Sequence, residues 1–235
     1  MKLLGIDSSG LVASVAVVEN ESLLAEYTVN YKKTHSQTLL PMLDEIVKMI
    51  ELDLESIDAI AIAGGPGSFT GLRIGSATAK GLGFALGKPL IQVPTVDGLA
   101  YNLWGCQGVV CPLMDARRNQ VYTGLYMFEQ NVMRVLESQC AVGIDEIIEK
   151  INRKDCSVVF LGDGVPVFQE YIADHCKVPF AFAPAHMNKQ RGAAIAALAE
   201  QYYQVGKLQT AAGHKPEYLR MSQAERERLA QAKQK

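Results

Sequence analysis

The chain has 235 residues, 49% of them apolar and 20% charged, which is the composition of an ordinary globular protein and excludes a disordered or collagen-like chain. Lys and Arg total 23 against 25 Asp and Glu, a net charge of −2. Proteins that hold nucleic acid alone carry a basic excess, so any contact with RNA is expected to need a partner.

The cysteine pattern and the N-terminus bear on location. Five cysteines without a CxxC pair indicate free thiols in a reducing compartment. Asp7 interrupts the short apolar opening, and no apolar run approaches the roughly 18 residues of a membrane span. The sequence therefore predicts a soluble, cytoplasmic protein without membrane contact.

The first half of the chain is predicted to hold five strands and two helices. Short apolar or β-branched runs predict the strands, and apolar residues at helical spacing predict the helices. The predicted strands are 3–6, 12–18, 23–29, 57–63 and 89–93, and the predicted helices are 35–51 and 69–86.

The same order restarts 108 residues later, from Asp7 to Asp115. Each of these aspartates ends a predicted strand and leads through a turn into a second one. A further strand follows in each half, at 57–63 and 158–161, and runs into a glycine-rich turn. These parallels indicate a duplicated α/β unit.

The C-terminal third is predicted to be helical. An alanine-rich helix at 187–205 is expected to cross between the lobes, and a capping box at 222–225 is expected to open a last charged helix. The predicted domains are an N-terminal lobe at 1–103, a C-terminal lobe at 104–215 and a charged helix or tail at 216–235.

Both helices of the first half indicate a partner surface, carried by the N-terminal lobe. Small residues recur every fourth position from 71 to 83, and interior glycine weakens a helix by up to roughly 1 kcal/mol, so another backbone is expected to approach closely. The helix at 35–51 has an apolar arc of roughly 180°, against the roughly 100° of an ordinary surface helix. Internal packing on the sheet is the alternative. The predicted interface residues are Leu39, Leu43, Ile46, Ile50, Gly71, Leu72, Gly75, Ala79 and Leu82.

The glycine-rich turn at 65–71 lies between a strand and a helix, where free N–H groups favour an anion. It lacks the GK[ST] ending of a phosphate-binding loop, and a tight turn with Ser68 or Thr70 as helix cap is the alternative. The two strand-end aspartates are candidates for holding a metal-nucleotide across a cleft, although Asp is also a common turn former. The nucleotide-proximal candidates are Asp7, Ser9, Gly67, Ser68 and Asp115.

No catalytic or metal-binding residue is predicted. The four histidines share no HxxxH or HExxH spacing, and Ser8 and Ser9 lie outside a GxSxG elbow. The residues therefore favour a binding or scaffolding role.

Four segments, at 4–9, 35–41, 65–82 and 218–220, closely resemble the bacterial TsaB (YeaZ) family, and the match runs nearly end to end. The resemblance implies an α/β, actin-like and sugar-kinase-like (ASKHA) fold of two duplicated lobes with mixed sheets. It also implies a role in making the threonylcarbamoyladenosine beside the anticodon of tRNAs that read codons beginning with A.

The resemblance further implies that the paralogue TsaD, which carries a metal-binding HxxxH, performs the transfer to the adenosine N6 amine. Here His35 is followed by Leu39, so this chain is expected to be a non-catalytic scaffold subunit. The implied partners are TsaD, through the N-terminal helices, and the ATPase TsaE, with a competing homodimer in isolation. ATP, ADP and metal are expected in the assembled complex rather than tightly on this chain, and tRNA only through the complex. A stand-alone ATP-dependent phosphotransferase is the alternative.

Overall fold

The computed structural model describes residues 1–31 and 34–220, which form two five-stranded sheets. The first contains β1 (Lys2–Asp7), β2 (Ala13–Glu19), β3 (Ser22–Val29), β4 (Ala59–Ala63) and β5 (Leu90–Val93). The second contains β6 (Val109–Asp115), β7 (Gln120–Glu129), β8 (Val132–Gly143), β9 (Val158–Leu161) and β10 (Phe180–Phe182). The helices within the described ranges are α1 (His35–Met49), α2 (Phe69–Leu86), α3 (Thr95–Tyr101), α4 (Ile144–Asn152), α5 (Val165–His175) and α6 (Gly192–Gln204), with a 3-10 turn at Leu54–Ser56.

The two sheets share one topology. The first has the order β3-β2-β1-β4-β5, in which β1 is antiparallel to β2 and parallel to β4. The second has the order β8-β7-β6-β9-β10, with β6 antiparallel to β7 and parallel to β9. Each central strand therefore has the same neighbours in the same directions, and the predicted duplication is confirmed.

Helices cover both faces of the first sheet. On one face α1 and α2 pack against the apolar side chains of β1, β2 and β4. On the other face α6 packs against β1, β2 and β4, and the fit is close because a Cβ at Gly5 would lie 2.2 Å from the Gly192 carbonyl oxygen. Ser68 accepts a hydrogen bond from the Gly71 N–H at the start of α2, and Gly87, at a φ of 64°, ends it.

The second sheet packs against α4 and α5, whose apolar side chains form a separate core with β6, β7 and β9. The joint between the lobes is built on α3, which contacts β6, β7 and α6. There the Tyr126 hydroxyl donates a 2.7 Å hydrogen bond to the buried Asp97 carboxylate. Polar and apolar contacts therefore both hold the lobes together.

The observed elements depart from the predicted domain division at the C-terminus. The predicted C-terminal lobe, 104–215, includes α6, which packs on the first sheet rather than the second. Residues 216–220 contain no helix, and the capping box at 222–225 lies outside the described residues. The helix predicted to cross between the lobes packs instead on the first sheet and on α3.

Candidate functional site

Four of the five nucleotide-proximal candidates come together where β1 and β4 end. The Ser9 backbone N–H and side-chain hydroxyl both donate to Asp7 Oδ1, at 2.8 and 2.6 Å. The Ser68 N–H donates to the Ser9 carbonyl oxygen at 2.7 Å. A Cβ at Gly67 would lie 2.3 Å from that same oxygen, so only glycine fits this contact.

Asp7 lies beneath the turn with 1% of its surface exposed. Burial raises the pKa of its carboxyl to about 6, against the opposing hydrogen bonds from Ser9 and the charge of His35. The His35 ring lies on the same turn, with Nε2 2.9 Å from the Gly10 carbonyl oxygen. The first lobe therefore holds a carboxyl at this position whose charged form is disfavoured.

The fifth candidate, Asp115, ends β6 in the second lobe and is bound to its own turn. Its carboxylate accepts a 2.7 Å bond from the Arg117 N–H and forms a 3.0 Å ion pair with the Arg117 guanidinium. Its backbone N–H donates a hydrogen bond to the Asp163 carboxylate. Burial raises the pKa of the Asp163 carboxyl. The geometry at Asp115 is that of a turn former.

A cleft of about 490 Å³ separates these two strand ends. The first lobe supplies Ser9, Gly67 and Ser68, and the second supplies Asp115 and Asp163. The structure thus brings Ser9, Gly67, Ser68 and Asp115 to one cleft, with Asp7 buried behind it.

Tyr218 and Arg220, near the end of the described residues, border the cleft, a feature that the predicted strands and helices do not include. The Tyr218 ring stacks on Phe69 with 4.5 Å between centroids, and the Arg73 guanidinium lies over the Tyr218 ring. The Arg220 guanidinium donates to the Ala116 carbonyl oxygen and lines the cleft. Residues far apart in sequence form this contact, so local periodicity contains no signal for it.

Most of the predicted interface residues lie in the chain's own core, so their side chains pack internally in this structure. The side chains of Leu39, Leu43, Ile46, Leu72 and Ala79 are at most 5% exposed, and all except Leu72 belong to the cluster under α1 and α2. A partner would not reach these side chains.

The two glycines of this set pack against the turn after β1. A Cβ at Gly71 would lie 2.1 Å from the Ser8 carbonyl oxygen, and one at Gly75 would lie 2.2 Å from Ser8 Oγ. Ile50 and Leu82 are half-buried against the same core. The small-residue stripe therefore serves internal packing, the alternative that the sequence left open.

A different stripe of α1 and α2 is exposed. Leu40 of α1 is 56% exposed and Phe84 of α2 is 64% exposed. Ala77 and Gly81 of α2 are exposed as well. Nothing lies within 4 Å of a Cβ placed at Gly81. Since both helices cover one sheet face, these outward residues lie on the same side of the lobe.

Two negative findings apply to residues 1–31 and 34–220. No group of three or more His, Cys, Asp or Glu side chains has the geometry to hold a metal ion. None of the helices in these ranges is long and apolar enough to cross a membrane.

Two lobes that repeat one mixed-sheet topology around a cleft define an α/β protein of the actin-like and sugar-kinase-like class. A family model described as TsaD, tRNA N6-adenosine threonylcarbamoyltransferase, matches residues 22–228. The tRNA threonylcarbamoyladenosine biosynthesis protein TsaB of Bacillus subtilis is 32% identical over 228 residues, 96% of either chain. The chain belongs to the TsaB (YeaZ) family.

Two further proteins agree with this assignment. The protein of Escherichia coli with the same TsaB name is 33% identical over 167 residues, covering 70% of this chain and 72% of its own. The solved structure of YeaZ from Pseudomonas aeruginosa matches with a TM-score of 0.77 and 26% identity, covering 93% of this chain and 99% of that one. The resemblance that the sequence motifs indicated is therefore confirmed.

Proposed function

We propose that this chain is a scaffold subunit in tRNA threonylcarbamoyladenosine biosynthesis. It acts with TsaD and TsaE in threonylcarbamoyl transfer to the N6 amine of the adenosine beside the anticodon, in tRNAs that read codons beginning with A. The observation that carries the proposal is the kinship with a TsaB protein over 96% of both chains. In support, position 39, four residues after His35, holds a leucine that packs in the core. ATP, ADP and metal belong to the assembled complex in this proposal, and tRNA binds only through it.

The partner surface in this proposal is the outer face of α1 and α2, defined by Leu40, Ala77, Gly81 and Phe84. Exposed apolar side chains beside small residues allow another helix to approach closely, which supports this face as the contact with TsaD. In the isolated protein a second copy competes for the same face.

Reconstitution tests the role. Purified TsaD, TsaE and the synthase of the threonylcarbamoyl adenylate are incubated with tRNA, threonine, bicarbonate and ATP, with and without this chain. We expect the modified nucleoside to form only when the chain is present, and none from the chain alone. Equal product without it would overturn the scaffold role.

The substitution Ala77→Leu tests the surface. It adds bulk to an exposed position of α2 and is expected to weaken TsaD binding by roughly tenfold or more, while the melting temperature stays unchanged. Ala173→Leu, at an exposed alanine of α5 in the second lobe, is the matched control. If the Ala77→Leu protein bound TsaD as tightly as the control, the docking face would lie elsewhere, and the reconstitution result would still stand.

One observation favours the alternative of a stand-alone phosphotransferase, namely the buried carboxyl of Asp7, with its raised pKa, behind the cleft. Turnover of Mg-ATP by the pure chain, lost in Asp7→Asn, would replace the scaffold proposal. We expect no such turnover.

A further inference from the structure

A groove of about 600 Å³ lies on the face of the first lobe opposite α1 and α2. Its floor is one face of α6, whose lining positions 193, 197, 200, 201 and 204 recur at helical spacing. The turn between β2 and β3, the segment after α3 and the turn between β7 and β8 contribute the rest of the lining. A volume between about 300 and 1,000 Å³ is typical of a binding site. We call this feature the Trp104 groove and define it by Glu21, Leu23, Tyr101, Trp104 and Glu200.

Exposed apolar and aromatic side chains line this groove. Trp104 is 50% exposed and Leu23 is 48% exposed. The half-buried Tyr101 ring packs against Phe128 with 6.2 Å between centroids, and its hydroxyl accepts a 3.2 Å hydrogen bond from Gln201 Nε2. These contacts hold Tyr101 in position beside an accessible tryptophan, and both residue types are enriched at the centres of protein interfaces.

The charge of the groove is negative. Glu21 and Glu200 line it, and no Lys or Arg does. Burial raises the pKa of the Tyr101 hydroxyl, the Gln201 hydrogen bond opposes this, and the charges of Glu200 and Glu21 raise the pKa further. Both carboxylates therefore lie close enough to act on a hydroxyl group in the wall of the groove.

Neither of these glutamates has a counter-ion within residues 1–31 and 34–220. Basic side chains of the nearby strands pair elsewhere, Lys2 with Glu19 and Arg134 with Glu129. Unpaired carboxylates beside an aromatic face favour an organic cation. An RNA strand would bring its phosphates against the same carboxylates, so charge complementarity selects a basic protein segment instead.

We propose that the Trp104 groove binds an extended basic segment of a partner protein, in which one arginine makes the central contact. The planar guanidinium stacks on the Trp104 ring and pairs with Glu200 and Glu21, whereas a lysine ammonium is compact and strongly hydrated. Leu23 contacts the apolar side chains that flank this arginine. The inference is independent of the scaffold role, because α1 and α2 cover the other face of the sheet and the groove stays open when they are occupied.

Intrinsic fluorescence tests the proposal on the full chain, since Trp104 is its one tryptophan and reports on this groove alone. The probe is a short peptide without tryptophan that carries one central arginine flanked by leucines. We expect a saturable change in Trp104 emission. The same peptide with citrulline in place of arginine keeps the shape but loses the charge, and is expected to bind roughly tenfold more weakly.

Variants of the groove locate the contact. Glu200→Gln is expected to weaken binding of the arginine peptide by roughly tenfold, and Glu21→Gln, in an exposed turn where folding is not at risk, by about threefold or more. Glu170→Gln, at an exposed position of α5 in the second lobe, makes the same change of charge and keeps full affinity. With a fluorescent label on the peptide, anisotropy gives the affinity of Trp104→Leu, which is expected to be about fivefold weaker or more.

Four results would overturn the proposal. They are no saturable binding of the arginine peptide, equal binding of the arginine and citrulline peptides, full affinity in both Glu200→Gln and Glu21→Gln, and anisotropy that saturates while Trp104 emission stays constant. Spermidine separates a protein segment from a free polyamine. If it bound as tightly as the arginine peptide, the groove would belong to a small polycation and the assignment to a protein segment would be wrong.

Discussion

The two lobes share one sheet topology, but the turn after the central strand is enclosed to a different degree in each. In the first lobe the turn after β1 is enclosed: the loop at 64–68 and helix α2 both pack against it. In the second lobe the turn after β6 projects outward, and its Arg117 side chain is 83% exposed. The same topology therefore places the Asp7 carboxyl fully in the interior, whereas the Asp115 side chain keeps 14% of its surface exposed and pairs with an exposed arginine. The duplicated sheet sets the position of each aspartate along its strand. The connecting loops set how exposed its carboxyl is and which charges lie beside it.

The largest expected effect tests the enclosure of the first turn. Gly75→Leu forces a side chain into Ser8 and is expected to lower the free energy of unfolding by about 3 kcal/mol or more. Gly81→Leu, two turns further along the same helix, meets nothing and is expected to raise it by up to about 1 kcal/mol through helix propensity. Urea denaturation measures both. Equal effects of the two substitutions would contradict the packing of α2 described above.

A smaller expected effect is a pH dependence of the free energy of unfolding that arises from Asp7 and not from Asp115. Because burial raises the pKa of Asp7 to about 6, the folded protein keeps a proton that the unfolded chain has already released. The free energy of unfolding is therefore expected to fall as pH rises from about 4 to about 6, by up to about 3 kcal/mol. Asp7→Asn removes this contribution, so its stability relative to the wild type is expected to be greater at pH 7 than at pH 4.

The control for this experiment is Asp115→Asn, at the matching strand end of the second lobe, where the carboxylate pairs with Arg117. Denaturation curves at several pH values give the comparison. The interpretation fails if Asp7→Asn retains the full pH dependence of the wild type.

The smallest effect concerns the exposed turn itself. Arg117→Ala removes the 3.0 Å ion pair with Asp115, but water screens this pair, and the change in the free energy of unfolding is expected to stay below about 1 kcal/mol. A loss above about 2 kcal/mol in urea denaturation would show that the second turn is as enclosed as the first.

Sequence patterns predicted the duplication because each half repeats a strand, an aspartate, a turn and a strand at one spacing. They also placed α1 and α2 within a few residues of their observed bounds. They did not show that the apolar side of each helix packs on the chain's own sheet. The wide apolar arc of α1 is filled by its own sheet, and periodicity cannot tell a core that the same chain supplies from one that another chain supplies.

Other features escaped prediction because their causes are not local. The predicted elements omit α3, β8, α5 and β10, whose short or mixed runs carry weak periodic signals. The Trp104 groove and the stacking of Tyr218 on Phe69 depend on contacts between distant segments. For the glycine-rich turn at 65–71, the sequence offered Ser68 or Thr70 as helix cap, and the structure shows that Ser68 caps α2.

The packing of α6 on the first sheet has a consequence for synthesis on the ribosome. The face of this sheet that contains Leu3, Ala61 and Ile91 is complete in sequence before residue 100, yet its cover begins at Gly192. During translation the second lobe is synthesised before α6, so this apolar face stays uncovered for that time. The N-terminal lobe expressed alone is therefore expected to aggregate, and a nascent chain of this protein exposes an apolar face to chaperones until α6 has emerged.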